Sequence, residues 1–78
     1  MTMLIDLQIE KAVKRAEEKH PVFADNAFQA VSIIGEEFGE LAQAVNDKDF
    51  KKAECEALDL IATCIRFLKE KDNLQGRL

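Results

Sequence analysis

The sequence has no Trp or Tyr, one Pro and three Gly among its 78 residues. So little proline and glycine argues against a turn-rich β fold and favours helices. Apolar residues make up 47% of the chain, which excludes the composition of a disordered segment. We expect a single domain over residues 1–78, whose small core needs a staple, a metal or a partner subunit.

The chain also lacks the features of nucleic-acid-binding, membrane and secreted proteins. Its net charge is −4 and it has no basic patch with interleaved aromatics, so a nucleic-acid polymer is a poor partner. No apolar run approaches the roughly 18 residues that span a bilayer. The N-terminal segment MTMLIDLQIE has no basic residues ahead of its apolar run, unlike a signal peptide. We therefore expect a cytoplasmic protein without a membrane partner.

Cysteine is limited to Cys55 and Cys64, which lie nine residues apart on one predicted helix. This spacing separates them by about 13.5 Å and places them on opposite helix faces, so they cannot form a disulfide with each other. A redox pair or a pair of metal ligands is the alternative interpretation. We expect instead that both are small buried hydrophobic residues.

Apolar periodicity predicts three helices, which cover about residues 4–19, 26–45 and 49–71. Pro21 ends the first, because the residue before a proline is disfavoured in the helical conformation. The candidate N-caps are Asp25 or Asn26 for the second helix and Asp47 or Asp49 for the third. Residues 72–78 are expected to form a frayed tail.

The third predicted helix is apolar over about half of its circumference, which is more than one neighbouring helix covers. Two other short helices cannot cover this arc and bury their own apolar faces as well. The sequence therefore predicts an all-α fold, made of a helical hairpin plus an N-terminal helix. We expect oligomerisation, as a homodimer or homotetramer, to complete a core of the four-helix-bundle type.

The second predicted helix has a glutamate where an apolar residue is expected. At about 100° per residue, Glu37 lies in the middle of the apolar face and Glu40 about 60° to one side. The third helix carries Glu56 and Asp59 with the same i, i+3 spacing. The pairs 40/56 and 37/59 share one midpoint, position 48, in the turn between the helices. An antiparallel hairpin therefore brings four carboxylates together.

Such a cluster repels itself unless it holds protons or a cation. A hard divalent cation, Mg²⁺ or alternatively Mn²⁺, prefers oxygen ligands of this kind. Zinc is disfavoured because sulfur and imidazole are missing, and a di-iron bundle would need Glu-x-x-His on two helices. The alternative is that the acidic pairs are merely solvated, with Lys52 and Glu56 as an ordinary i, i+4 pair. That alternative leaves the position of Glu37 unexplained.

The order Glu36-Glu37-x-x-Glu40, 15 intervening residues, then Glu56-x-x-Asp59 resembles the signature of the MazG-like all-α nucleoside triphosphate pyrophosphohydrolases. The segments EEFGELAQAV and EALDLIA are similar to that family in their apolar positions as well. The resemblance covers about residues 26–68. It implies Mg²⁺-dependent cleavage of a nucleotide between the α and β phosphates, giving monophosphate and pyrophosphate. It also implies dimers or tetramers built from four-helix modules.

The chain departs from the family after Lys71, where family members usually continue with further helical sequence that contacts phosphate. A neighbouring subunit would have to supply those contacts, or the chain is a reduced member. Two non-catalytic hypotheses stay open: a helical interaction or regulatory module, and a metal-stabilised structural bundle.

If the chain is an enzyme, each candidate residue has an expected role. The metal ligands are Glu37, Glu40, Glu56 and Asp59. Glu37 is the first choice for the general base and Glu36 the second. Lys52 and Arg66 flank the acidic pair and could bind phosphate. His20 and Asn26, with Phe23 and Phe28, lie near the first connector and could contact a base.

Overall fold

The computed structural model describes residues 2–75, with side chains from Leu4 onwards. The chain forms α1 (Thr2–Lys19), α2 (Ala27–Asn46) and α3 (Phe50–Gln75), so the all-α prediction is confirmed. None of these three helices is long and apolar enough to cross a membrane.

Side-chain caps fix where α2 and α3 begin. The Asn26 side chain accepts a hydrogen bond from the Gln29 N–H at 2.9 Å, and Asp49 accepts one from the Lys52 N–H at 3.1 Å. Each satisfies a helix N–H that has no partner within its own helix. Between α2 and α3, Lys48 adopts a left-handed backbone conformation with φ of 58°, which makes the turn short. The two helices therefore form the antiparallel hairpin that the sequence predicted.

Helix α3 is the centre of the molecule. Helices α1 and α2 both pack against it and, over the described helices, do not pack against each other. One core cluster, of Ala12, Val13 and Ala62, joins α1 to α3. The arrangement leaves a cleft above α3, with α1 and α2 as its walls.

The C-terminal end of α3 corrects the prediction of a frayed tail for residues 72–75. The helix continues to Gln75, and Leu74 is only 2% exposed. Leu74 lies two helical turns after Phe67 on the same face, and both belong to a cluster with Ala24 and Ala30. The connector after α1 folds over this end of α3 and buries it. Residues 76–78 lie outside the described part of the chain.

The cysteine prediction is wrong in the isolated chain, because Cys55 and Cys64 are both free and exposed. Apolar character alone suggested burial, but α1 and α2 cover only two strips of the circumference of α3. The strip that carries Cys64 also leaves Ile61 and Leu68 exposed.

Candidate metal site and adjoining cleft

The α2–α3 hairpin brings three carboxylates together. Glu37 of α2 and Glu56 and Asp59 of α3 each offer one carboxylate oxygen that lies within 4.8 Å of the other two. The short turn sets this register, because it places residues equally distant from position 48 side by side. The triad therefore follows from where the turn falls in the sequence.

Glu40, the fourth predicted ligand, lies beside Glu56 at the edge of this triad. The pKa of Glu56 is raised from its ordinary 4.5 to about 7, first because its protonated carboxyl can hydrogen-bond to Glu40. Burial and the charges of Glu40, Asp59 and Glu37 raise it further. Glu40 is thus an electrostatic neighbour of the triad.

Glu37 is half-buried on the apolar face of α2. Burial is the main cause that raises the pKa of its carboxyl, followed by the negative charges of Glu40, Asp59 and Glu36. The Lys19 ammonium, which reaches the site from α1, lowers the pKa of Glu37 in opposition to these effects. Glu37 is therefore held in an environment that disfavours its unpaired negative charge.

Two buried carboxylate oxygens, Oε2 of Glu37 and Oε2 of Glu56, have no hydrogen-bond partner among the described residues. Glu40 beside Glu56 is itself a carboxylate, so the two can share a hydrogen bond only when one of them is protonated. A buried acceptor without a partner costs about 1–3 kcal/mol, and more when it is charged. A proton or a cation would remove that cost.

The donor set decides which cation fits. It contains oxygen ligands alone, with no Cys or His in the group that the described residues form. Oxygens around one Mg²⁺ lie about 3–4 Å apart, close to the spread of the triad. The three residues therefore fit a hard divalent cation such as Mg²⁺, and Mn²⁺ has the same preference for carboxylates.

A cleft of about 510 Å³ adjoins the triad, with α3 as its floor. Its acidic lining is Glu36, Glu37 and Asp59, its basic lining on the α1 side is Arg15, Lys19 and His20, and its apolar lining includes Val22, Phe23 and Ile33. This volume lies in the range of small-molecule sites. The cleft thus presents acidic and basic walls to the same space.

Arg66 lies in the floor of the cleft and is only 7% exposed. Its guanidinium donates hydrogen bonds to the backbone oxygens of Ala16 at 3.1 Å and Pro21 at 3.3 Å. It also lies over the Phe23 ring, 5.3 Å from the ring centroid. These contacts, which include hydrogen bonds from two of its five N–H groups, hold the end of α1 against α3, a role that the sequence did not indicate.

Of the other residues predicted to bind substrate, the structure places some in the cleft and the rest outside it. His20 lines the cleft, whereas Lys52 and Asn26 do not. Lys52 lies exposed at the start of α3, and the Asn26 side chain is occupied as the cap of α2. Phe28 is exposed and lies outside the cleft.

Sequence reasoning missed Arg15 and Lys19. Their i, i+4 spacing places them on one face of α1, which is a signal that they act together. Nothing in the sequence places that face opposite the carboxylates, because the direction in which α1 docks depends on the fold.

No protein-family model matches the chain, and neither a curated protein nor a solved structure shows significant similarity to it.

Proposed function

We propose that the protein is a Mg²⁺-dependent nucleoside triphosphate pyrophosphohydrolase of the MazG-like type, with Mn²⁺ as an alternative cation. One observation carries the proposal: facing helices place two unpartnered, buried carboxylate oxygens in a triad beside a cleft. The motif order in the sequence supports the same function. The reaction gives a nucleoside monophosphate and pyrophosphate.

Glu37, Glu56 and Asp59 would hold the cation, with Glu40 beside them. When bound there, Mg²⁺ would neutralise charge on phosphate oxygens and lower the pKa of a water molecule. The carboxylates contribute by positioning, since phosphoryl transfer needs little covalent chemistry from the protein. Partial burial of Glu37 and Glu56 strengthens these electrostatic interactions relative to water.

A proton must leave the attacking water. We assign it to a Glu37 carboxylate oxygen that does not ligate the cation, because Glu37 belongs to the triad and also lines the cleft. Glu36 lines the same cleft and is the second choice. The water oxygen bonds to the α phosphorus, the bond from that phosphorus to the bridging oxygen breaks, and pyrophosphate leaves.

We also propose that the protein acts as a homodimer or homotetramer in which the hairpin faces of two copies pair. Phe28, Val31, Phe38 and Val45 of α2 are between 46% and 75% exposed. Phe50, Ile61 and Leu68 of α3 are also exposed and lie roughly opposite Asp59 on the helix. We call these seven residues the hairpin face. None of the seven lines the cleft, so we expect pairing to leave both clefts open.

The size of the hairpin face fits a second copy. Its three phenylalanines, at about two-thirds exposure, leave roughly 400 Å² of aromatic surface in water. A stable interface buries about 800 Å² per partner, so these rings and the neighbouring aliphatic side chains supply most of it. The core of a single chain buries little apolar surface, since six of its eight buried apolar residues are alanines.

Two glycines within α2 support the same interface. A Cβ added at Gly35 or Gly39 would meet no atom within 4 Å, so packing inside the chain does not require glycine there. Glycine in a helix interior costs about 1 kcal/mol relative to alanine. Both lie along the hairpin face, where the lack of a side chain would let the helix of a second copy approach closely.

Sedimentation equilibrium at micromolar concentration tests the interface. We expect a dimer or tetramer for the parent protein, and a shift towards the 8.8 kDa monomer for Phe38→Ser. Val22→Ser is the control, because Val22 is at least as exposed as Phe38 but lies off the hairpin face. A monomeric parent protein would refute the proposed assembly.

A substrate screen tests the reaction. Pyrophosphate and monophosphate should appear in equal amounts from at least one nucleoside triphosphate, and only with Mg²⁺ or Mn²⁺ present. In ¹⁸O-labelled water the label should enter the monophosphate, since water attacks the α phosphorus. Label in pyrophosphate would contradict the attack proposed here. Mg²⁺-dependent stabilisation without any hydrolysis would instead favour a metal-stabilised structural bundle.

A further inference from the structure

We propose that Arg15 and Lys19 of α1 form the phosphate-binding wall of the cleft, which holds the polyphosphate of a nucleotide against the carboxylate side. The inference rests on the proposed function, and it assigns phosphate contacts to residues that the sequence pattern did not single out. The ligand class is a polyphosphate anion that carries a divalent cation.

Arg15 and Lys19 both lie at the cleft, on the side formed by α1. They lie one helical turn apart on the same face of α1, and both line the cleft with Glu37 and Asp59. Their side chains are exposed, and in the part of the chain that the structure describes neither forms an ion pair. They are therefore free to bind an anion that enters the cleft.

The other cations near the site are less suited to this role. The Arg66 guanidinium is buried and donates to the carbonyl oxygens of Ala16 and Pro21. Lys52 does not line the cleft. Arg15 and Lys19 are thus the exposed arginine and lysine side chains of the cleft.

The negative charge of the carboxylates explains why polyphosphate binding needs cations on the α1 wall. Carboxylates alone repel a polyphosphate, and a divalent cation neutralises only part of its charge. Cations on the opposite wall attract the remaining phosphate oxygens, so the anion is held between α1 and the metal side. Arg15 can bind phosphate oxygens through two parallel N–H groups, and Lys19 adds a compact point charge. This arrangement orients the phosphate chain across the cleft.

Isothermal titration calorimetry of inorganic tripolyphosphate with excess Mg²⁺ tests the assignment without catalysis. A nucleotide analogue with a methylene bridge between the α and β phosphates serves as a second probe. We expect Arg15→Gln and Lys19→Gln each to weaken binding of both probes about tenfold. Lys14→Gln is the matched control, because it removes the same charge from α1 at a side chain that lines a different groove.

Comparison of the variants distinguishes failure of this inference from failure of the proposed function. The melting temperature and its increase with Mg²⁺ should be the same for Arg15→Gln and Lys14→Gln as for the parent protein, since neither residue belongs to the triad or shifts the pKa of Glu37. Lys19→Gln should lower the melting temperature of the metal-free protein slightly, because it removes a positive charge that opposes the raised pKa of Glu37. If Lys14→Gln weakens binding as much as the other two, Arg15 and Lys19 have no specific role, although the proposed function still stands. If the parent protein binds neither probe, both the inference and the proposed function are wrong.

Discussion

Removing the charge of Glu56 should stabilise the metal-free protein at alkaline pH. The pKa of Glu56 is raised from 4.5 to about 7, mainly through its contact with Glu40. A shift of this size corresponds to about 3 kcal/mol of unfavourable free energy for the ionised form, and solvent screening of a partly exposed carboxylate reduces it to about 1 kcal/mol. Glu56→Gln should remove this cost at pH 8. The melting temperature should rise by about 4–8 °C.

The direction of this pKa shift determines how the free energy of unfolding should change with pH. A carboxyl whose pKa is raised in the folded state destabilises the fold when it is ionised, above about pH 7, and has no such effect below 4.5. The metal-free parent protein should therefore gain stability as the pH falls from 8 to 5, and Glu56→Gln should lose part of that gain.

Thermal unfolding followed by circular dichroism, in EDTA and at one fixed protein concentration, measures both effects. Glu70→Gln is the control, because Glu70 is an exposed carboxylate on the same helix. A Glu56→Gln variant no more stable than the parent protein at pH 8, or an equal stabilisation of Glu70→Gln, would refute the electrostatic cost assigned to Glu56.

Three further predictions concern the metal, the buried arginine and the end of α3. Mg²⁺ at one hundred times its dissociation constant should raise the free energy of unfolding by about 2.7 kcal/mol, and an unchanged melting curve would exclude the site. Arg66→Met should cost about 2–4 kcal/mol in urea denaturation, because it removes hydrogen bonds from a charged donor, whereas Lys52→Met should change stability by under about 0.5 kcal/mol. Leu74→Ala should cost about 2–5 kcal/mol, and a negligible cost would mean that this end of the helix is frayed after all.

The hairpin and the triad could be predicted from the sequence because both depend on local information. A polar turn with a capping Asp49 fixes where α3 begins, and the turn position then determines which residues of α2 and α3 meet. Glu37 was identifiable because a carboxylate in the middle of an apolar face conflicts with the helical pattern. The positions of these groups follow from the helical rotation of about 100° per residue and from the position of the turn between α2 and α3.

The features that could not be predicted depend on how distant segments dock. The apolar face of α1 shows that the helix packs against something, but not in which direction Arg15 then points. Burial of Arg66 and Leu74 depends on the connector folding over α3. The exposure of Cys64 depends on which strip of α3 stays uncovered, and composition carries no information about that.

In the proposed function, the carboxylates of the two facing helices hold a cation that drives hydrolysis of a nucleotide. The most direct test compares pyrophosphate release with Mg²⁺ for Asp59→Asn and Glu70→Gln. Both residues lie on α3, about 16 Å apart along its axis. Asp59→Asn should lower the rate at least about 100-fold, while Glu70→Gln keeps the rate of the parent protein. Equal rates for the two folded variants, or no release by the parent protein from any nucleoside triphosphate, would contradict the claim.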